Sequence, residues 1–359
     1  MVPLEKHVET HTKKLQTLLD NAVENRSAHG VVLSIYHEQK EKFSWTGASG
    51  DLLPDQPYFL SSVAKLHITA LIMKLRVRGK LQLSDSLCRH IPEKEIKGLH
   101  RLKDQDYTDK ITLLHLLSHR SGLPDYFDYP IMGESTLRED LIAGIDRSWT
   151  FGQMINTVSK MDSLFKPGQK GKIHYSDTNF QLLVKVIENI CGEPVLKVLE
   201  EFHFGPLGLT ETYIYGDIKD RTPAVFYHQD KKLFIPKAMA SFGADGGLVS
   251  TAPENMAFLK AFFHGHLFPQ EYLSEMQNWV HVSKSFYYGW GLSLYRKPWY
   301  TPPFGQTPDI IGHTGMTGSF AFYIPENKLF LTGTVNQLAE KSLPYKLAMD
   351  VAGILSVNH

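Results

Sequence analysis

The chain has 359 residues, 42% apolar and 21% charged, enough for one large domain or two interlocked ones with a sizeable core. Lys and Arg together number 38, as do Asp and Glu, so bulk charge draws the chain neither to nucleic acid nor to an anionic membrane. No stretch has the length of a membrane span, and residues 1–30 lack the apolar core of a signal peptide; the expectation is a cytoplasmic protein, with export left open for a trimmed precursor.

Leu15, Leu18, Leu19, Ala22 and Val23 recur on one helical face and predict an amphipathic helix over about residues 4–25. Residues 31–36 and 42–46 are β-rich and read as a hairpin. A turn-rich loop, 47–57, then delivers the chain to Phe59-Leu60-Ser61-Ser62-Val63-Ala64-Lys65. In residues 66–73 only His67 and Thr69 are polar, so the helix there should be buried nearly all round and should end near Gly79. If Ser62 opens that helix, Ser62 and Lys65 project from one face about one turn apart. A serine hydroxyl is a poor nucleophile near neutral pH and needs a neighbour to take its proton. Lys65, partly desolvated at the helix mouth, is expected to lean toward its neutral form; it can take that proton itself or bias another group to act. The structural alternative makes Ser62 an N-cap and Lys65 an ordinary first-turn lysine.

Residues 94–110 are charged and read as a surface excursion. Thr112 caps a short helix, 113–119, stopped by Ser121-Gly122, and residues 123–150 suit the rim of a site. Ser163-Leu164-Phe165-Lys166 repeats the Ser-x-x-Lys pattern, but Pro167 and Gly168 follow at once, so no helix carries it onward and it reads as a decoy. Tyr175-Ser176-Asp177 falls in a loop before an apolar helix, 180–191, closed by Gly192; another helix covers about 194–203. Residues 243–251 are glycine-rich without the spacing and lysine of a phosphate loop, which points to close backbone packing. Residues 254–264 are helical. Residues 286–304 are aromatic-rich, including Tyr287, Tyr288, Trp290, Tyr295, Trp299 and Tyr300; packing is the first reading and a substrate wall the second.

Residues 320–324 and 329–334 form a hairpin around Pro325-Glu326-Asn327-Lys328, and a last helix spans about 343–356. Strands near both chain ends are joined most economically in one antiparallel sheet. The terminal helices would cover it, and a mostly helical subdomain would be inserted between, giving an α+β fold. Cys88 and Cys191 read as free buried thiols. The 17 histidines show no metal-ligand spacing, so neither metal nor organic cofactor is expected.

Three blocks then fall in order: Ser62-Val63-Ala64-Lys65 opening a buried helix, Tyr175-Ser176-Asp177 between helices, and His313-Thr314-Gly315 before a C-terminal hairpin. Together they resemble the serine β-lactamase and penicillin-binding-protein superfamily, and within it the class C β-lactamase-related branch of DD-peptidases, D-aminopeptidases and esterases. Leu116-Leu117-Ser118-His119-Arg120-Ser121-Gly122-Leu123-Pro124, Pro206-Leu207-Gly208-Leu209, Gly246-Gly247-Leu248-Val249-Ser250-Thr251 and Tyr288-Gly289-Trp290-Gly291 are similar as framework, so the resemblance runs over about residues 10–356. It implies one subdomain from residues 1–60 and 244–359, a second from 61–243, and a site at their interface. It implies Ser62 as the acyl-accepting nucleophile, Lys65 in its activation and Tyr175 as the phenol that shuttles the proton. The backbone N–H groups of Ser62 and Met316 would form the oxyanion hole, and Asp177, His313, Thr314 and Gly315 would meet the substrate.

Two positions depart from the family's usual pattern. Asp177 stands where Asn is usual; a carboxylate cannot donate the amide's hydrogen bond but can pair with Lys65 or with a cationic substrate, and beside Lys65 it would favour the ammonium and make the Tyr175 tyrosinate the better base. His313 stands where Lys is frequent, and its hold on a substrate carboxylate would depend on pH. The expectation is a serine hydrolase cleaving an ester or a D-amino-acyl amide or peptide bond. Its partner would be a small molecule or short peptide rather than nucleic acid, with the oligomeric state open. The alternatives are a β-lactamase or penicillin-binding DD-carboxypeptidase, and a non-catalytic binding or scaffolding protein that keeps the fold.

Overall fold

Period-two alternation along a few strands sets the architecture. A computed structural model describes residues 4–39, 43–130, 135–298 and 307–356. In the Gly30–His37 strand, Val31, Leu33 and Ile35 face one apolar cluster and Val32 another. In Ser319–Ile324 and Leu329–Thr334, Phe320, Phe322, Ile324, Leu329 and Leu331 join the first cluster, while Ala321 and Phe330 join the second. The first cluster is closed by Leu15, Leu19 and Ala22 of the Leu4–Glu24 helix and by Leu347, Val351 and Leu355 of the Leu343–Ser356 helix. Both terminal helices thus lie on one sheet face, as their apolar stripes predict.

The sheet is antiparallel, with eight strands among the described residues: Val280–Ser283, Phe286–Tyr288, Ser293–Tyr295, Ile310–Thr314, Ser319–Ile324, Leu329–Thr334, Gly30–His37 and Ser44–Gly50, in that spatial order. The expected hairpins are present: Ile35 pairs with Trp45, and Tyr323 with Phe330. Lys42, placed in the first hairpin by sequence, lies outside the described residues. The first three strands of the order were not expected. They occupy much of the aromatic stretch read as packing, with Phe286 opposite Tyr295. Trp299 and Tyr300, part of the same expectation, lie outside the described residues.

The Lys65–Val77 helix runs through the larger core, with every residue from Lys65 to Met73 buried. It stops where expected: Gly79 takes a φ of 67°, and the N–H groups of Gly79 and Lys80 reach back to the carbonyls of Arg76 and Leu75. Beside it packs the Asp177–Cys191 helix, which begins nearly a turn before the expected Phe180 and so puts Asp177 in its first turn. The excursion at 94–110 is less superficial than its charge suggests. Ile96, Leu99 and His100 are buried, and His100 Nε2–H donates to the Phe165 carbonyl at 2.9 Å. Cys88 and Cys191 are free but half-buried, because each sits at the edge of the larger core rather than inside it. Among the described residues, no helix is long and apolar enough to cross a membrane, and no group of three or more metal-ligating side chains is present.

Candidate active site

Ser62 does not cap a helix. Ser61–Ala64 form a 3-10 turn, the α-helix starts at Lys65, and neither start has a side-chain capping bond. The turn is held from outside instead. Ser61 takes a left-handed φ of 47°, which costs energy for a non-glycine residue, and its hydroxyl pairs with that of Thr317 at 3.0 Å. Thr317 donates to the Phe59 carbonyl at 3.0 Å and Ser319 to the Leu60 carbonyl at 2.6 Å. Gly315 passes so close to this turn that a Cβ there would lie 2.1 Å from Ser319 Oγ and 2.5 Å from the Leu60 carbonyl oxygen. Glycine is therefore required for the Ile310–Thr314 strand to deliver Met316 to the pocket that Ser62 lines.

Lys65 is 1% exposed. Its Nζ lies 3.3 Å from Ser62 Oγ, 2.7 Å from Asp177 Oδ1 and 3.4 Å from the backbone carbonyl oxygen of Asp245. Burial pushes its pKa down, but its acidic neighbours, Asp177 first among them, outweigh burial and hold it well above the ordinary value. Of the two states the sequence allows, burial favours the neutral lysine and a neighbouring Asp177 the ammonium; Asp177, arriving from another helix, prevails and Lys65 is held as an ammonium. The Tyr175 hydroxyl interacts with both Ser62 and Lys65. Burial raises the pKa of this phenol, Lys65 lowers it, and the net position stays above the ordinary range.

His119 positions the Tyr175 segment. Its carbonyl accepts the His174 N–H at 2.9 Å, and its Nδ1 accepts the Ser176 N–H at 3.1 Å and the Asn179 side-chain amide at 3.0 Å. Nδ1 is an acceptor, so the proton sits on Nε2 and the ring is neutral. Burial and then Lys65 hold its pKa well below the usual range. The ring lies 4.3 Å from that of Tyr175 and meets Tyr288 edge-on at 4.6 Å. Sequence reasoning noted this block only as framework; the available signal was a histidine, a buried polar residue, directly after a leucine-rich helix.

His313 is buried, and burial followed by Lys65 pushes its pKa down to about 4, so the imidazole is neutral near neutral pH. Its Nδ1–H donates to the Thr314 carbonyl at 2.8 Å, and Nε2 faces the Tyr288 hydroxyl at 3.4 Å. The conditional cation expected here therefore forms only in acid.

These residues surround one cavity of about 390 Å³. Ser62, Lys65, Tyr175, Asp177, His313, Thr314, Gly315 and Met316 all line it. Phe286, Tyr287 and Tyr288 line it too, whereas Trp290 and Tyr295 pack against the larger and smaller cores, so the aromatic stretch divides between packing and cavity lining. From the expected rim comes Arg138, ion-paired with Asp128, its Nη1 3.6 Å from Met316 Sδ. Asp245, unnoticed within the glycine-rich stretch, also lines the cavity.

The sequence matches the family model named Beta-lactamase over residues 15–352. The chain belongs to the Beta-lactamase family. A protein of Escherichia coli (strain K12) named as a D-alanyl-D-alanine carboxypeptidase is 25% identical over 337 residues, 80% of this chain and 72% of that one. Among solved structures, the D-amino acid amidase of Ochrobactrum anthropi SV3 is similar with a TM-score of 0.73 and 24% identity, covering 95% of this chain and 99% of that one. The hydrolase EstCE1, described as having promiscuous acyltransferase activity, is similar with a TM-score of 0.75 and 19% identity, covering 98% and 99%. The penicillin-binding protein homologue of Pyrococcus abyssi has a TM-score of 0.75 and 25% identity, covering 96% of this chain and 78% of that one. The α+β fold expected from sequence agrees with these Beta-lactamase-fold relatives, and a serine hydrolase fits the family.

Proposed function

We propose that this member of the Beta-lactamase family forms an acyl-enzyme on Ser62 and cleaves D-amino-acyl amides, short peptides or esters. The observation that carries it is one pocket holding the Ser62 hydroxyl, the Lys65 ammonium 3.3 Å away, and a Tyr175 phenol that faces both. In this reading Ser62 Oγ attacks the carbonyl carbon and its proton passes to the ionised Tyr175 oxygen. Lys65, kept charged by Asp177, favours that ionisation electrostatically. The N–H groups of Ser62 and Met316 meet the oxyanion, a contribution of typically ~2.7–4 kcal/mol for one donor. Tyr175 returns the proton to the leaving amine or alkoxide; water then enters by the same route and releases the acid. Thr314 and Gly315 border the bound acyl group, His313 the leaving group, and Asp177 a substrate amine. The same proposal extends to the architecture: residues 1–60 with 244–359 form one subdomain, 61–243 the other, and the site lies between them.

Two features weigh against the nearest alternatives. A DD-carboxypeptidase must hold the carboxylate of the leaving residue, yet His313 is neutral and Arg138 is already paired with Asp128. A β-lactamase of the usual pattern uses the amide donor that Asp177 lacks. The test is a turnover screen over aryl esters, D-amino-acyl amides, N-acylated peptides ending in D-alanyl-D-alanine and a chromogenic cephalosporin. Turnover of the first two is expected. Fastest turnover of the cephalosporin or of the N-acylated peptide would overturn the substrate assignment, and no turnover of any would favour a scaffold.

A further inference from the structure

Asp245 sits in the Gly243–Asp245 turn and is fully buried in the cavity wall. Its Oδ1 accepts from Gln181 Nε2 at 2.8 Å. Its Oδ2 is buried with no hydrogen-bond partner among the described residues. Its backbone carbonyl, not its carboxyl group, receives the contact from Lys65. The charged and titratable groups that face it are Lys65, Asp177 and Tyr126. A buried carboxyl oxygen without a partner is costly, and such groups persist where a ligand or catalytic role meets them.

Charge counting shows what would meet it. Asp177 is matched by Lys65 at 2.7 Å. Burial pushes the Asp245 pKa up to about 8, with Lys65 pulling it down and Asp177 pushing it further up, so near neutral pH it keeps its proton. The cluster then carries no net charge. A ligand ammonium entering beside Asp177 adds one positive charge, and an opposite charge within about 4–6 Å favours the ionised carboxylate. Asp245 would release its proton to water and become the counter-ion. An ammonium is also the complementary hydrogen-bonding group, having only donors to offer two carboxylates. The apolar lining of the cavity, including Phe242, Phe286, Tyr287 and Met239, suits an apolar side chain on the same acyl group.

We propose that Asp245, together with Asp177, determines specificity for acyl groups that carry a free ammonium. The inference rests on the serine-hydrolase reading above and narrows its substrate class.

The test compares kcat/KM for the p-nitroanilides of D-phenylalanine and of 3-phenylpropanoic acid, which differ only in the ammonium group. It is run at a pH where the amine is charged. Wild type should prefer the charged substrate. Asp245→Asn keeps the shape, the backbone contact to Lys65 and an acceptor for Gln181, and should lower that preference by about tenfold or more. Asp245→Ser serves the same comparison if the first variant does not fold. No preference in wild type, or an undiminished preference in the variants, overturns the role of Asp245. A fluorophosphonate adduct on Ser62 separates the two levels. With the adduct present, either negative result removes only Asp245; with no adduct on wild type, the serine-hydrolase reading falls and this inference falls with it.

Discussion

Ser-x-x-Lys occurs twice in this chain, and the two copies end in opposite surroundings. At Ser62 the lysine is buried, lies 3.3 Å from the serine oxygen and is charge-paired with Asp177. At Ser163 the serine is buried, with its N–H on the Arg101 carbonyl at 2.7 Å and no partner for its hydroxyl among the described residues. Lys166 is exposed, its ammonium 5.2 Å from the centre of the Tyr107 ring. Pro167 and Gly168 turn the chain before a helical turn can bring serine and lysine onto one face. The tetrapeptide is the same; what differs is convergence. Thr317 and Ser319 pin the first copy, Asp177 charges its lysine, and Tyr175 completes it, each from a distant part of the chain.

The largest expected effect separates the copies outright. Ser62→Ala should lower kcat/KM by orders of magnitude, while Ser163→Ala should leave it near wild type, both read by steady-state hydrolysis. Equal losses would erase the distinction. Ser62 makes no capping bond, so its replacement should cost the fold well under the ~1 kcal/mol of a lost N-cap, read by thermal melting. Next come the partners that only the first copy has. Tyr175→Phe and Lys65→Ala should each slow acylation by orders of magnitude, and the double variant should be little worse than either single one. Multiplicative losses would mean that the two act separately.

The pH profile sharpens the comparison further. The reactive form has one proton fewer than the resting ammonium and phenol, and both pKa values lie above their ordinary ranges. Activity should therefore rise with pH into the alkaline range and fall again as Lys65 loses its charge, reporting the pair rather than either residue. Asp177 raises both values, so Asp177→Asn should move the rising limb to lower pH. An unmoved limb would show that Asp177 does not set the charge of Lys65.

Smaller effects appear in stability. Ser163→Ala removes a buried hydroxyl without a partner and should be neutral or stabilising by up to about 1 kcal/mol. Asp245 binds its proton more tightly folded than unfolded, with a pKa of about 8 against 3.8. The stability it contributes is fully present below the unfolded value and is lost as pH rises to the folded one. The melting temperature of Asp245→Asn relative to wild type should therefore climb between about pH 4 and about pH 8. A constant difference would mean that Asp245 is already ionised in the folded state.

Much of the fold was legible because its signals are local and periodic. The stripes at Leu15–Leu19–Ala22 and along residues 343–356, the hairpin at 320–334 and the apolar run after Lys65 each state which face is buried. The strands Val280–Ser283, Phe286–Tyr288 and Ser293–Tyr295 were not legible. They are three or four residues long, and a register shift between His281 and Ser283 breaks the alternation. Of the site, the three motif blocks stood out, because helical context and order mark them. The charge state of Lys65 was legible only as a condition: burial alone argues for a neutral lysine, Asp177 beside it for the ammonium, and the 2.7 Å contact between them meets that condition. His119 and Asp245 stayed hidden for a related reason: each looks like part of a packing segment until the residues around it are known.

Trapping the acyl-enzyme tests the central claim most directly. Wild type, Ser62→Ala and Ser163→Ala are exposed to a fluorophosphonate, and intact mass with peptide mapping locates any adduct. The account predicts a single adduct on Ser62 in wild type and in Ser163→Ala, and none in Ser62→Ala. An adduct that persists in Ser62→Ala, or none on folded wild type, would contradict it.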